Sequence, residues 1–208
     1  FMQEVLGTNI AVENHPGGNN AVGTTLVAQA EPDGYTLLTI GSPHLHFSYL
    51  TQETEYDLDD LVPIAGVVME PGIVRVADDA PWENMNDLID YAKEQPPGTL
   101  NASVSNIASG NFLGLKQIEE ETGVEFNIVG FGGGQEARTA LLQGEVDLTQ
   151  AGVFNSLNIE EGSRVIGIQQ ETNEYKDLTD NAEPINDQLG TNIPHNSSTY
   201  GIWTTAAV

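Results

Sequence analysis

The spacing of apolar residues along the chain predicts alternating strands and helices. Residues 10–12 form a short apolar run, residues 21–29 place apolar side chains three or four positions apart, and residues 35–40 are again mostly apolar. Short apolar runs are typical of strands, whereas a repeat of 3.6 residues is typical of helices. Glycine and proline at positions 15–18 and 32–34 separate the runs. The first segment therefore predicts a strand, a helix and a second strand.

The same alternation continues along the rest of the chain. We predict helices at residues 85–94, 111–122 and 135–143, a short helical turn after residue 150, and strands at 62–66, 72–76, 100–104, 126–130, 146–150 and 165–168. Residues 198–205 read as a further β-rich run. Alternation of this kind favours parallel sheets with helices on both faces.

Length and residue usage limit the classes of protein that fit. A chain of 208 residues has room for one large domain or for two lobes of roughly 100 residues each. The absence of cysteine excludes disulfides and thiolate metal sites. No apolar run approaches the roughly 20 residues that span a bilayer.

The charge is strongly one-sided. Thirty-one acidic residues against six basic ones give a formal net charge of −25, and the acids are scattered over every segment. Scattered acid with scarce lysine suits a protein kept in concentrated salt, where charges are screened within about 3 Å at 1 M. We therefore expect a halophile's surface. Nucleic acids and anionic membranes are poor partners for such a field.

Two loops are candidates for binding an anion. Ligands of open α/β sheets bind where the carboxyl ends of the strands meet the starts of helices. Residues 105–110 offer hydroxyl, amide and backbone N–H donors at a helix start, and residues 132–134 are three glycines that allow close backbone approach. The alternative is structural: the glycines only satisfy turn geometry, and Ser109 only caps a helix.

Several segments resemble one known family. The chain is similar to the substrate receptors of tripartite tricarboxylate transporters, also called TctC or Bug proteins, over nearly its whole length. The segments that carry the resemblance are residues 12–14 (VEN), 16–17 (PG), 32–38 (PDGYTLL), 56–64 (YDLDDLVPI), 87–93 (DLIDYAK), 97–101 (PGTLN) and 144–148 (GEVDL).

The resemblance implies a two-lobed α/β fold like that of type 2 periplasmic binding proteins, in which each lobe is a mostly parallel sheet flanked by helices. The first lobe would comprise residues 1–77, with 200–208 crossing back to it, and the second residues 78–199. Family members begin earlier and end later, so we expect a chain truncated at both ends with an incomplete first lobe. A strand would then be missing between residues 10–12 and 35–40, and the open edges could allow self-association.

The resemblance also implies ligand contacts at specific positions. The family loop that contacts a ligand carboxylate matches residues 101–111, and the opposite lobe contributes the loop at residues 41–44. Asn155 is a candidate to replace an acidic residue and an asparagine that the family has near Ala151 and Gly152. The candidate ligand-binding residues are Ser42, His44, Ser103, Ser105, Asn106, Ser109, Gly110, Gly132, Gly133, Gly134 and Asn155.

The function implied is that of an extracytoplasmic receptor, secreted or lipid-anchored in the periplasm or at the outer face of the membrane. It would capture a di- or tricarboxylate or a related organic acid between its lobes and deliver it to the membrane components of the transporter, with no cofactor. The alternative is a ligand-sensing regulatory domain of the same architecture. Such domains normally accompany a DNA-binding segment, and none is present here.

Other functional classes receive less support. No nucleophile elbow, phosphate-binding loop or paired base and nucleophile occurs at a usable spacing, so we expect no enzyme and no catalytic residues. His44 and His46 could ligate a metal, but four histidines without cysteine make a closed zinc site a poor fit. Residues 57–60 lack the glycine and glutamate of a calcium loop. Arg138 either reaches a carboxylate or lies on a solvated helix face.

Overall fold

The computed structural model describes residues 2–158 and 162–206 of the chain. Within them the helices are α1 Met2–Leu6, α2 Ala21–Ala28, α3 His44–Thr51, α4 Met85–Glu94, α5 Gly110–Thr122, α6 Gly134–Leu142 and α7 Ile185–Leu189. The strands are β1 Leu37–Ser42, β2 Leu61–Ala77, β3 Asn101–Val104, β4 Asn127–Gly130, β5 Leu148–Gly152, β6 Ser163–Ile168 and β7 Ser197–Thr205. Short 3-10 turns include Val153–Asn158, which follows β5.

The 17-residue strand β2 connects two groups of strands. Its first part pairs with β7 as far as Pro71, and its second part pairs with β5 and β6 from Gly72 and Ile73 onward. β1 lies on the other side of β7, while β3 lies between β4 and β5, which gives the order β1-β7-β2-β5-β3-β4. The change of partners between Pro71 and Gly72 makes this point of β2 the connection between the two groups.

The helices that the sequence predicted agree closely with the structure, whereas α3 and α7 were not predicted. α4 has the predicted bounds because Asn84 caps it, its Oδ1 accepting a hydrogen bond from the Asp87 N–H at 3.0 Å, and because Met85, Leu88 and Ile89 bury one face. α5 and α6 each begin one residue earlier than predicted. The α/β class with flanking helices is confirmed.

The strand predicted at residues 10–12 is wrong. No strand forms there, and Val12 is 86% exposed. A strand needs a partner for its backbone groups, and none of the described residues provides one beside this run. Residues 10–12 are apolar, as a strand would be, but they lack the neighbouring strand whose backbone would pair with them.

The pairing in the first group of strands also differs from the prediction. β7 pairs with β1 and with β2, and both pairs are antiparallel, whereas a mostly parallel sheet was expected. Residues 62–66 and 72–76, predicted as separate strands, belong to the single strand β2. Among the described residues, β7 is the strand that pairs with β1, and no parallel strand lies beside it. The expected parallel arrangement does occur for β3 with β4 and β5.

The larger hydrophobic core lies under the second group of strands. It contains Val74 of β2, Leu115 of α5 and Leu148 of β5, all with no exposed surface. A smaller cluster around Leu45 and Leu61 supports the first group. Since each fully buried large aliphatic side chain contributes about 1.5–3 kcal/mol, the second group is the better anchored of the two.

Among the described residues, the first part of β2 pairs only with β7, so its other edge lies open. Residues 62–69 are all exposed, and residues 61–69 carry no charged side chain. An uncharged exposed strand edge is able to pair with another chain. Self-association through the first lobe therefore stays a prediction.

We expect the fold to depend on salt. Among the described residues Glu70 is the only buried acid, so almost all of the negative charge lies at the surface, where molar salt screens it. The melting temperature followed by circular dichroism should rise by several degrees between dilute buffer and 2 M KCl. Replacing the exposed pair Glu120 and Glu121 by glutamine should reduce this rise. An equal melting temperature at both salt concentrations would contradict the prediction.

Candidate ligand pocket and hinge

A small pocket lies where the carboxyl ends of β3 and β5 meet the starts of α5 and α6. Its enclosed space is only about 10 Å³, and about 330 Å³ is empty when the open solvent at its mouth is counted. Strand β2, both helices and the turn after β5 all contribute to its wall. The lining residues are Arg75, Ser105, Asn111, Gly134, Ala137, Arg138, Thr149, Gln150, Ala151 and Asn155. This is the position at which α/β sheets bind ligands.

Two of the six basic residues of the chain line this pocket. Arg75 on β2 is only 3% exposed, and its Nη1 donates hydrogen bonds to the Ser163 carbonyl at 2.9 Å and to the Ser163 hydroxyl at 3.1 Å. Burial lowers the pKa of Arg75, and the charge of Arg138 lowers it further, while Asp180 and Asp78 oppose the shift. A guanidinium stays protonated despite such shifts. The pocket therefore contains two guanidinium groups in a chain of net charge −25.

Arg75 was missed by the sequence analysis, which read residues 72–76 only as a strand. The available signal was a lone arginine inside a run of isoleucine and valine, because a charged residue in a buried strand needs a specific reason. For Arg138, the sequence allows either a carboxylate contact or a solvated helix face. It lines the pocket.

Neutral polar groups complete the wall. Asn155 donates from Nδ2 to the Gly152 carbonyl at 3.3 Å, and Thr149 donates from Oγ1 to the Ser103 carbonyl at 3.2 Å. Gly134 is the first residue of α6, so the positive end of that helix faces the pocket. The wall therefore combines two cations, a helix start and several hydrogen-bonding side chains.

The structure brings only part of the predicted site together. Ser105, Gly134 and Asn155 line the pocket. Ser103 is fully buried and donates to the Ala137 carbonyl at 3.1 Å, and the Gly132 N–H donates to the Glu136 carboxylate at 3.0 Å. These groups already have partners within the protein. Ligand contacts by the residues outside the pocket stay predictions.

Three further candidates organise the start of α5. Ser109 caps the helix: its hydroxyl accepts from the Phe112 N–H at 3.3 Å and donates to the Asn106 carbonyl at 2.5 Å. The Asn106 side chain accepts from the Ala108 N–H at 2.5 Å, and the Gly110 carbonyl accepts from Asn196 Nδ2 at 2.6 Å. The contacts of Ser109 are therefore those of a helix cap, which was the alternative to a ligand contact.

Ser42 and His44 lie at the end of β1 and the start of α3. The Ser42 hydroxyl is 3.3 Å from His46 Nδ1, and the His44 ring centre is 6.1 Å from that of Tyr200. Burial lowers the pKa of His44, so its ring is neutral near pH 7. Pro43 between them packs against Gly110, where an added Cβ would lie 3.3 Å from Pro43 Cδ. The loop therefore contacts the start of α5 and does not line the pocket.

Glu70 links the pocket to the point of β2 where its partner strands change. Its carboxylate accepts a hydrogen bond from the Phe154 N–H at 3.0 Å and one from the Tyr200 hydroxyl. Burial raises the pKa of Glu70, and these two hydrogen bonds partly oppose the shift. Burial and the Glu70 charge together raise the pKa of Tyr200 to about 12. Glu70 thereby fixes the turn that carries Asn155 to strands β2 and β7.

Two features of the described residues bear on other functions. Residues 2–158 and 162–206 contain no group of three or more histidine, aspartate or glutamate side chains arranged to hold a metal ion. In the same residues, no helix has the length and apolar character needed to cross a membrane.

The fold is that of a periplasmic solute-binding protein. A solved structure of Rpa4515 from R. palustris with adipate superposes with a TM-score of 0.86 at 21% identity, covering 99% of this chain and 69% of that one. MatC from Rhodopseudomonas palustris with bound malate gives a TM-score of 0.83 at 22% identity, with coverages of 98% and 69%. At these identities the likeness concerns the fold.

The family follows from the sequence itself. A model described as the tripartite tricarboxylate transporter family receptor matches residues 1–176, so the chain belongs to this family. A UPF0065 protein of Bordetella pertussis is 31% identical over 162 residues, which are 74% of this chain and 48% of that protein. Protein BugT of the same organism is 27% identical over 70% of this chain and 45% of its own length. The resemblance identified in the sequence is confirmed, and the family is one of receptors, not of enzymes.

The chain spans about half the length of the curated relatives that it matches.

We expect Ser109→Ala to act on stability. Removing the hydroxyl leaves the Phe112 N–H without its cap, which costs about 0.5–2 kcal/mol of the free energy of unfolding. Urea denaturation in molar KCl measures this loss, and Ser109→Asn should recover most of it because asparagine is an equally good cap. An unchanged stability of Ser109→Ala would show that the cap contributes nothing.

We expect Glu70→Gln to stabilise the protein most near neutral pH. Glutamine still accepts from the Phe154 N–H but removes a buried charge. Because the pKa of Glu70 is raised in the folded state, its ionisation disfavours folding above that pKa, and the penalty disappears as the pH falls towards about 4.3, the value of a free glutamate. The difference in melting temperature between variant and wild type should therefore shrink from pH 8 to pH 4.

The control for this variant is Glu70→Ala, which leaves the Phe154 N–H without an acceptor. It should destabilise the protein by about 1–3 kcal/mol. A difference between Glu70→Gln and wild type that stays constant with pH would mean that Glu70 does not titrate as described.

Proposed function

We propose that the chain binds a small carboxylic acid in the pocket formed by Arg75, Arg138 and their neighbours. The observation that carries this proposal is the concentration of two of six basic side chains at one small pocket of a chain with 31 acids. Charge-assisted hydrogen bonds from a guanidinium to a carboxylate are among the strongest that a protein offers. Ser105, Thr149 and Asn155 add neutral hydrogen-bonding groups.

The electrostatics of the whole chain favour this location over the rest of the surface. A net charge of −25 repels an anion at long range, so an anion is held only where local cations and helix dipoles outweigh that field. The start of α6 at Gly134 contributes to the same wall as the arginines. Molar salt, which screens the distant acids more than the close arginines, favours binding further.

We also propose an extracytoplasmic receptor role, in which the acid is passed to the membrane components of a tripartite transporter. The family description supports this role, and structural neighbours hold adipate and malate. In this proposal β1, β7 and the first part of β2 belong to the first lobe, and β3 to β6 with the part of β2 that begins at Gly72 form the second. Bending near Pro71 and Gly72, where β2 changes partners, would close the cleft between the lobes.

We expect Arg138→Gln to weaken the binding of a dicarboxylate such as malate. Loss of a hydrogen bond to a charged group costs about 1.5–3 kcal/mol, which is roughly a 10- to 150-fold change in affinity. Isothermal titration calorimetry in molar KCl measures it. Lys93→Gln is the matched control, because it removes the same charge from an exposed site on α4 outside the pocket. Equal affinities of Arg138→Gln and wild type would exclude this pocket as the carboxylate site.

A further inference from the structure

The loop at residues 105–110, which connects β3 to α5, is joined to the first group of strands by a side-chain hydrogen bond. Asn106 Nδ2 donates to Asn19 Oδ1 at 3.2 Å. Asn19 lies just before α2, and α2 packs in the smaller hydrophobic cluster that supports the first group. Ser105 and Asn111, at the two ends of the loop, line the pocket. The bond therefore connects the two groups of strands beside the pocket.

Other side-chain hydrogen bonds between the two groups lie next to the points where the chain crosses from one to the other. They are made to the Met69 carbonyl, the Glu70 carboxylate and the Ser197 hydroxyl. These residues adjoin the crossing of β2 and the start of β7. Neither Asn19 nor Asn106 lies on a crossing segment, so the bond between them has to break when the two groups move apart.

The orientation of the Asn106 amide is fixed by the backbone of its own loop. Asn106 Oδ1 accepts a hydrogen bond from the Ala108 N–H at 2.5 Å. A backbone N–H can only donate, so the amide oxygen faces Ala108 and the NH₂ group faces Asn19. Both ends of the Asn106 side chain thus have partners within the protein.

Asn19 is held in place by helix α3. Its backbone is left-handed, with a φ of 50°, a conformation that asparagine adopts more readily than most residues. The Asn19 carbonyl accepts a hydrogen bond from the hydroxyl of Ser48, which has no exposed surface. The neighbouring Gly18 carbonyl accepts from Gln52 Nε2, at the end of α3, at 2.6 Å. The acceptor of the bond is therefore presented by a fixed turn.

The other end of loop 105–110 is fixed to the crossing that leads into β7. Asn196 Nδ2 donates to the carbonyl of Gly110, the first residue of α5, at 2.6 Å, and the Asn196 carbonyl accepts from the Gly72 N–H at 2.8 Å. This approach requires that Gly114 has no side chain, because a Cβ there would lie 2.0 Å from Asn196 Nδ2. With this end fixed, the position of Asn106 determines how the rest of the loop lies at the pocket.

The same face of α5 rests on buried glutamines. A Cβ on Gly114 would also lie 2.1 Å from Gln150 Nε2 and 2.8 Å from Gln169 Oε1, and these two amide atoms are joined by a hydrogen bond of 2.8 Å. Gln169 Nε2 donates onward to Gln117 Oε1 at 2.9 Å and to the Pro194 carbonyl at 3.2 Å. Paired amides beneath the helix leave its start little freedom to shift by itself.

We infer that Asn19 is a positioning residue of the ligand site: through Asn106 it holds loop 105–110 against the first group of strands and so slows the release of a bound acid. The inference rests on the proposed function and adds a residue that acts through the loop. A ligand held between the two groups leaves when they separate, and that separation breaks the bond. A single amide hydrogen bond changes such an equilibrium by about two- to tenfold.

The first measurement needs no ligand. The chain contains no cysteine, so Leu50→Cys on α3 and Glu120→Cys on α5 attach one spin label to each group of strands at an exposed site. Double electron–electron resonance on the full chain in molar KCl gives the distribution of distances between the labels. Asn19→Ala and Asn106→Ala should each shift it to longer distances. The double variant should add nothing further, because both substitutions remove the same bond.

Two control variants separate this role from a general effect of the substitution. Asn20 is also exposed and left-handed, with a φ of 76°, and its side chain makes no capping hydrogen bond. Asn20→Ala therefore carries a similar backbone cost but leaves the contact with Asn106 intact, and it should keep the wild-type distances. Asn19→Asp keeps an acceptor oxygen and should also keep them.

The second measurement follows release. Displacement of radiolabelled malate by excess unlabelled malate should be about two- to tenfold faster for Asn19→Ala than for wild type or Asn20→Ala. Asn106→Ala tests the same bond from the other side if Asn19→Ala does not fold. Wild-type distances or a wild-type release rate in both variants would overturn the role of Asn19 and leave carboxylate binding intact. Failure of wild type to bind malate would overturn the proposed function and the effect on release, whereas the distances would still decide whether the bond holds the two groups together.

Discussion

The structure depends on the continuity of strand β2. A single strand of 17 residues shares its backbone hydrogen bonds with β7 in its first part and with β5 and β6 in its second. Backbone groups that are buried must be paired, so neither group of strands can move far from β2 without breaking its own ladder. Arg75, which lines the pocket, and Glu70, which lies next to the point where β2 changes partners, are only five positions apart, so the pocket wall and this point belong to one strand.

Acidic and basic side chains are distributed differently over the structure. Its many acids remain at the surface, while the single buried acid among the described residues has a backbone N–H and a tyrosine hydroxyl as partners. Two of the few cations are kept at the pocket. In the proposed anion-binding role, the close guanidinium groups act on the ligand at short range, whereas the surface acids act at longer distances that salt screens.

The sequence predicted best what is local. α4 was correct because its cap, its apolar face and its stop lie within about a dozen residues. The strand at residues 10–12 and the parallel first sheet were wrong because pairing partners come from distant segments, and β7 at the end of the chain takes the place beside β1. The pocket shows the same division. Ser105, Gly134 and Asn155 were found from loops and resemblance, whereas Arg75 reaches the pocket only through strand register, for which no short motif exists.

The close approach at Gly114 has a consequence for how specificity in this family can change. A Cβ at this position would lie 2.0 Å from Asn196 Nδ2 and 2.1 Å from Gln150 Nε2, so helix α5 can pass over the amides only because it has no side chain there. Any residue larger than glycine would push Gln150 aside and disturb the start of α5 held by Asn196. Positions 114, 150, 169 and 196 are therefore expected to vary together among relatives. A substitution at one of them alone would disturb the packing of the amides, whereas substitutions at several together could give a differently shaped receptor.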